Sequence, residues 1–180
     1  MERLNYNKIS LNVVKEIRKI AGDNNVIFED KEKLENYACD ESGEFYCHMP
    51  EAVVKVKSAQ EISKIMQLAN KENIPVTPRG AGSGLAGSAV PLYGGIVISL
   101  EKMNKIVEID TINMVVVSES GVITNDLCKA VTDKGLFYAG YPMSVESSFI
   151  GGNVATNAGG GTVIKYGNTC LLYTSDAADD

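Results

Sequence analysis

Val13, Val14, Ile17 and Ile20 recur at helical spacing after Ser10, and Gly22 closes the run, so a first amphipathic helix is predicted. A charged stretch over 29–35 follows, then a segment punctuated by Gly and Pro up to Pro50. Residues 53–56 form an apolar run that reads as a strand. Ser58, with Glu61 three positions on, makes a capping box, and it opens a helix whose Ile62, Ile65, Met66 and Ala69 share one face. Pro75 ends that helix, and 74–77 is a second short strand, so 53–77 is predicted to be a βαβ unit with a right-handed parallel crossover. Beyond a glycine-rich stretch the pattern changes to short strands at 96–100, 106–109 and 115–118, separated by polar turns such as 110–113. A third helix spans 124–134, with Leu127 and Val131 on its apolar side and Gly135 as its stop. The expected fold class is α+β. A small βαβ lobe precedes a mixed or antiparallel sheet lobe with flanking helices, and the boundary falls near 80–92.

Two glycine-rich stretches interrupt this pattern, PRGAGSGLAGSAVPLYGG at 78–95 and IGGNVATNAGGG at 150–161. Each removes side chains where a backbone must come close to something, and each is bracketed by apolar β-type runs. Successive N–H groups in such loops form concave anion sites, which suits a large, flat, anionic cofactor. With a net charge of −6 and no dense Lys/Arg cluster, the chain lacks the broad basic footprint of a nucleic-acid binder. Asp176, Asp179 and Asp180 carry half of that charge, so the acidity is partly a property of the tail. A chain of 180 residues, 44% hydrophobic, can bury the core of one domain or of two small lobes sharing a cleft. No run approaches the roughly 18 apolar residues of a membrane span, and the N-terminus lacks the apolar core of an export signal. Cys39, Cys47, Cys128 and Cys170 show neither C-x-x-C nor regular spacing, which argues against a zinc site and against a disulfide framework. A cytoplasmic setting is therefore expected.

Gly82, Gly84 and Gly87 spell a literal G-x-G-x-x-G behind a strand, the fingerprint of dinucleotide-binding Rossmann folds. That reading requires a helix directly after Gly87, yet Pro91, Gly94 and Gly95 forbid one and a strand comes next. A flexible surface loop without a ligand is the plainer alternative. Arg79, at the mouth of the loop, either gives a phosphate a charge-assisted contact or is an ordinary surface arginine. Asn153 and Asn157 either present their amides to the edge of a heteroaromatic ring, in space cleared by Gly151, Gly152, Gly159 and Gly160, or cap turns. Lys165 reads as a solvated residue. His48, the only histidine, has no local partner to orient it, and no Ser-His-Asp set, metal cluster or carboxylate pair is present, so no residue is assigned a catalytic or metal-binding role.

Taken in order, PRGAGSGLAGSAVP, GGIVISLEKMNKIVEID, SGV, IGGNVATNAGG and KYG resemble the FAD-binding domain of the p-cresol methylhydroxylase and vanillyl-alcohol oxidase type. Within that group they resemble the FAD subunits of glycolate oxidase and D-lactate dehydrogenase. The resemblance covers residues 50–168 and implies a two-lobed FAD-binding domain, with lobe one at 50–80 and an incomplete lobe two at 90–168. Residues 1–49 would be a helical lead-in. By resemblance, Pro78, Arg79, Gly80, Ala81, Gly82, Ser83, Gly84 and Leu85 surround the pyrophosphate. Ser144, Ser147, Ser148, Gly151, Gly152 and Asn153 run along the cofactor, and Asn157, Ala158, Gly159 and Gly160 sit near the isoalloxazine.

Relatives that attach FAD covalently end an R-x-G-G-H pattern in histidine, and here that position is Ser83, which implies non-covalent FAD. Where many relatives read P-P-D-P, this chain has Ala139, Gly140, Tyr141 and Pro142. The family continues past K-Y-G into further strands and a substrate domain, so a truncated chain is expected, with 169–180 as a non-native tail. The implied activity is that of an FAD-dependent oxidoreductase acting on a CH–OH group. Hydride would pass from the α-carbon of a small 2-hydroxy acid to flavin N5, and electrons would leave to an electron-transfer flavoprotein, an iron–sulfur subunit or a quinone. The fragment alone is expected to be inactive. The competing expectation is a non-catalytic flavin-binding module or a subunit of an electron-transfer complex.

Overall fold

The computed structural model describes residues 5–43 and 46–172. These fall into two compact units that divide after Lys102.

In the first unit, α1 (Leu11–Ala21) begins at Ser10, whose side chain accepts the Val13 N–H, and it buries Val13, Val14, Ile17 and Ala21. Strand β1 (Val26–Phe28) and helix α2 (Lys31–Glu35) follow. Neither is visible in the hydrophobic pattern, because β1 has three residues and α2 is charged except for the buried Leu34. Strand β2 (Ala52–Lys55) leads into α3 (Ala59–Lys71). The capping box forms in a shifted version: Ser58 Oγ accepts the Glu61 N–H at 3.2 Å, while the Glu61 carboxylate reaches back to the N–H of Lys57 at 2.8 Å. Ile65 and Ala69 are buried on this helix, but Met66 is 45% exposed and lies outside the core face expected for it.

The βαβ unit forms, with α3 joining two parallel strands, but a third strand lies between them. Strands β3 (Val76–Arg79) and β4 (Ile96–Ser99) complete a four-stranded sheet in the order β1-β2-β4-β3, so β2 and β3 are not neighbours. β4 lies parallel between them, pairing Ala52 with Ile96 on one side and Val76 with Ile96 on the other. β1 adds antiparallel to β2. The physical reason is in the strand compositions. All four residues of β4 are buried, as a central strand requires, whereas β3 carries Pro78, which has no N–H to donate and suits an edge. The run at 96–100 therefore belongs to the first unit and not to an antiparallel second lobe. Val53 and Val97 pack on Leu34, with Ile27 and Tyr37 beside them.

In the second unit, β5 (Ile106–Asp110) and β6 (Val115–Ser118) form an antiparallel pair. Asp110 Oδ1 accepts the N–H groups of Ile112 and Asn113 and so shapes the turn between them. Helix α4 (Thr124–Thr132) buries Leu127 and Val131 against Val122, with Ile106, Ile109 and Val116 alongside. Three short helices follow: α5 (Ile150–Ala155), α6 (Val163–Tyr166) and α7 (Thr169–Leu172). Of the stretch expected to be a non-native tail, Thr169 is buried and its hydroxyl donates to Ala158 O, and residues 173–180 lie outside the described residues.

The cysteine expectation is also corrected. Cys39 and Cys47 form a disulfide with their Cα atoms 4.5 Å apart, and Cys128 and Cys170 are free. Irregular spacing along the chain carried no information about this pair, because the fold turns the segment back so that His48 N–H meets Ala38 O at 3.0 Å. Among the described residues no helix is long and apolar enough to cross a membrane, and no three His, Cys, Asp or Glu are grouped to hold a metal.

Candidate functional site

The first glycine stretch leaves the carboxyl end of β3, the side of a parallel sheet where ligands of open α/β sheets are found. No helix follows Gly87, and the next regular element is β4, which removes the Rossmann reading. The loop is held from behind. Glu41 N–H donates to Gly84 O at 3.0 Å, and Arg79 reaches Ala89 O and Asn36 O, each at 3.4 Å. Arg79 is only 7% exposed, so it is no ordinary surface arginine. Its guanidinium lies 5.7 Å from the centre of the Tyr37 ring. Burial pulls the Arg79 pKa down, and the charge of Asp40 opposes that shift. Asp40 Oδ1 accepts the Ser42 N–H at 3.0 Å, while its other oxygen is buried without a partner.

The residues expected at the pyrophosphate thus divide by environment. Pro78 and Leu85 are exposed, Gly80, Ala81, Gly82, Ser83 and Gly84 are half-buried, and Arg79 is tucked beneath the loop. A Cβ at Gly82 would collide with the Arg79 guanidinium, whereas one at Gly84 would meet no protein atom within 4 Å. The protein's own packing explains the first glycine and leaves the second open to something else.

A polar network lies at the same strand ends. Lys55 and Arg79 are the register partners of Ser99 on either side of β4. Lys55 Nζ meets Glu101 Oε1 at 2.6 Å, and the hydroxyls of Tyr37 and Ser99 each donate to Glu101 Oε2 at 3.0 Å. Burial raises the Glu101 pKa, but Lys55, Ser99 and Tyr37 outweigh it and hold the carboxyl below its ordinary 4.5. The folded state therefore binds this proton less tightly than the unfolded chain does. The resulting stabilisation is complete above the ordinary carboxyl range and is lost as pH falls through the depressed folded value. Urea midpoints measured from pH 6 down to pH 3 should fall less steeply in Glu101→Gln than in the natural chain.

The second glycine stretch, in the other unit, is not a loop at its start. Gly151, Gly152 and Asn153 belong to α5, although each glycine in a helix interior costs about 1 kcal/mol relative to alanine. Tertiary contacts override that cost: a Cβ at Gly151 would press on Ser120, whose carbonyl accepts the Gly151 N–H at 2.8 Å. Gly159 and Gly160 are likewise crowded, by Asn168 and by the backbone of Tyr141, whereas Gly152 and Gly161 have open space where a Cβ would stand. Ser144 is half-buried and Ser147 exposed.

Ser148 and Asn153 turn inward. Asn153 Nδ2 donates to Thr124 Oγ1 at 2.7 Å, and that hydroxyl contacts Ser148 Oγ and Ser148 O at 2.9 Å. All three residues are at most 4% exposed. Thr124 has no sequence signal, because it is a lone threonine at the start of a helix. Asn157 is exposed at φ +49, with its Oδ1 accepting the Cys170 N–H at 3.1 Å, the turn-forming use of asparagine. Ala158 is half-buried, and its carbonyl accepts from Thr169. Asn153→Ala should lower unfolding free energy by about 1 kcal/mol in urea melts, the worth of the buried hydrogen bond to Thr124 that it gives up. A side chain serving only a ligand would show no such loss.

Residues 50–175 match the family model described as an FAD binding domain, which accounts for most of the chain. The chain belongs to that family. The FAD binding domain found here is 41% identical over 169 residues to a D-lactate dehydrogenase of Anaerostipes hadrus, a match covering 94% of this chain and 35% of that protein. It is 43% identical over 124 residues to the glycolate oxidase subunit GlcD of Bacillus subtilis, covering 69% of this chain and 26% of the relative. Among solved structures it is similar to substrate-bound p-cresol methylhydroxylase, with a TM-score of 0.61 and 27% identity, over 71% of this chain and 26% of that one. The α+β architecture, with its mixed four-stranded sheet and small antiparallel pair, is that of this FAD binding domain class. The chain spans about a third or less of the length of these relatives. Relatives in its family include FAD-linked oxidoreductases, 2-hydroxy-acid dehydrogenases among them.

Proposed function

We propose that this FAD binding domain serves a flavin-dependent dehydrogenase of a small 2-hydroxy acid, of the D-lactate or glycolate kind. The observation that carries the reading is the loop at 80–89. Its backbone is braced by Glu41 and Arg79, and at Gly84 it presents main chain that no protein side chain covers. Such a surface fits a pyrophosphate through N–H groups and does not need a free cation.

Residues 78–85 would bind the pyrophosphate, with Arg79 positioning the loop from beneath. In the second unit, Ser144, Ser147, Ser148, Gly151, Gly152, Asn153, Asn157, Ala158, Gly159 and Gly160 would take the remainder of the cofactor. Ser148 and Asn153 would act through the backbone they order, because their side chains are committed to Thr124. Bound FAD supplies an acceptor at N5 for the substrate's α-hydrogen. The reduced enzyme would pass electrons to an electron-transfer flavoprotein, an iron–sulfur protein or a quinone. The two named relatives, a D-lactate dehydrogenase and a glycolate oxidase subunit, support the substrate class.

Ser83 stands where a covalent histidine would attach, so the flavin should be held non-covalently. Acid precipitation of the FAD-loaded protein should leave all the yellow colour in the supernatant, and flavin carried down with the pellet would refute this. The wider reading is tested by titrating the protein with FAD and following quenching of flavin fluorescence. Absence of saturable binding would remove it.

A further inference from the structure

We propose that the Cys39 and Cys47 pair is a reversible thiol-modification site that sets the glycine loop, so that cofactor affinity follows its thiol–disulfide state. The proposal rests on the flavin reading above for its consequence, though not for its mechanism.

The bridge closes a short loop, with the Ala38 O to His48 N–H bond beside it, and both cysteines are half-buried and so within reach of small reagents. Directly after Cys39 come the residues that hold the glycine stretch. Asp40 ties to the N–H and hydroxyl of Ser42, and between them Glu41 N–H holds Gly84 O at 3.0 Å. The charge of Asp40 opposes the effect of burial on Arg79, the side chain that bonds Ala89 O at the far end of the loop. The turn at 40–42 therefore contacts the loop directly at Gly84, and Arg79, bonded to Asn36 O, holds it at Ala89. With the bridge closed, that turn has few places to go. With it open, only weak local bonds keep the Glu41 N–H on Gly84, and the loop loses its rear support.

The modification balances with a low-molecular-weight disulfide as oxidant. One cysteine thiolate attacks a sulfur of the reagent, forming a mixed disulfide and releasing one thiolate. The second cysteine thiolate attacks the protein sulfur of that mixed disulfide and releases the other. Two protein thiols become one disulfide, the reagent disulfide becomes two thiols, and the two protons lost by the cysteines are taken up by the departing thiolates.

Amide hydrogen exchange on the whole chain tests the coupling, with oxidised glutathione or a dithiol setting the state and thiol titration confirming it. The amides of Glu41 and Val90, bonded to Gly84 O and Gly87 O, should exchange about tenfold faster in the reduced chain. Those of β2 and β4 should not change. Equal Glu41 and Val90 rates in a chain shown to have both thiols free would overturn the proposal, as would failure of excess oxidised glutathione to close the bridge. Cys39→Ser should show the fast rates under both conditions, and the natural chain under reductant makes the same comparison without relying on that variant. FAD titration of the two states should give a Kd at least threefold weaker when reduced, and equal affinities would refute the regulatory consequence. No binding in either state would refute the flavin reading itself, while exchange would still decide the coupling.

Discussion

Gly82→Val is expected to weaken FAD binding at least tenfold, measured by flavin fluorescence titration. Gly82 has φ +78, a conformation that a β-branched residue adopts only under strain of about 1–3 kcal/mol. Its missing Cβ also makes room for the Arg79 guanidinium, and valine would have to displace it. Arg79 cannot simply swing into solvent, because it is 7% exposed and anchored on Ala89 O and Asn36 O. The loop itself must therefore move, and each ~1.4 kcal/mol spent on moving it back is a factor of ten in affinity. Gly84→Val separates the ligand from the scaffold. Gly84 has no left-handed φ and no protein atom near its missing Cβ, so stability should hold while FAD affinity falls. Full affinity in both variants would remove this loop from the cofactor site.

Gly95→Ala should produce the largest loss of stability, about 2–4 kcal/mol in urea unfolding. Gly95 stands where β4 enters the sheet between β2 and β3, at φ +67. A Cβ there would collide with Pro75 O and lie 2.6 Å from Pro75 Cγ. Neither neighbour can give way cheaply, since Pro75 O accepts the Ile96 N–H at 2.9 Å and Gly95 O accepts from Glu51 and Ala52. Relief would require β4 to shift against both partner strands, in the layer where Val53, Val97 and Ile96 are fully buried. A loss below about 0.5 kcal/mol, the range of an ordinary surface change, would show that this crossing is not under such constraint.

The pattern of residues was sufficient for every element with a strong periodic or capping signal. Ser10 caps α1, Ser58 caps α3, α4 buries Leu127 and Val131, and β5 and β6 form where the apolar runs predict them. It failed where the local signal is short or ambiguous. β1 is three residues long, α2 is charged, and α5 is a helix made partly of glycine. In the last case a contact with Ser120 outweighs the intrinsic preference against helix. The candidate site shows the same division. The glycine loop and the absence of a helix after it are legible in the residues, as is the family to which they belong. The supports of the loop are not, because Asn36, Tyr37, Asp40 and Glu41 lie far from it along the chain and resemble ordinary polar surface.

The amino-acid order alone determined the helices and strands that carry a strong periodic or capping signal, and where the backbone is bare, because spacing, caps and glycine act over a few residues. Only the tertiary structure decided that β4 enters between β2 and β3, that Arg79 turns beneath its loop, that Asn153 is buried on Thr124 and that Cys39 meets Cys47. Each of these pairs groups distant in sequence, and which distant groups meet is set by how whole elements pack to bury their apolar faces and satisfy their polar ones.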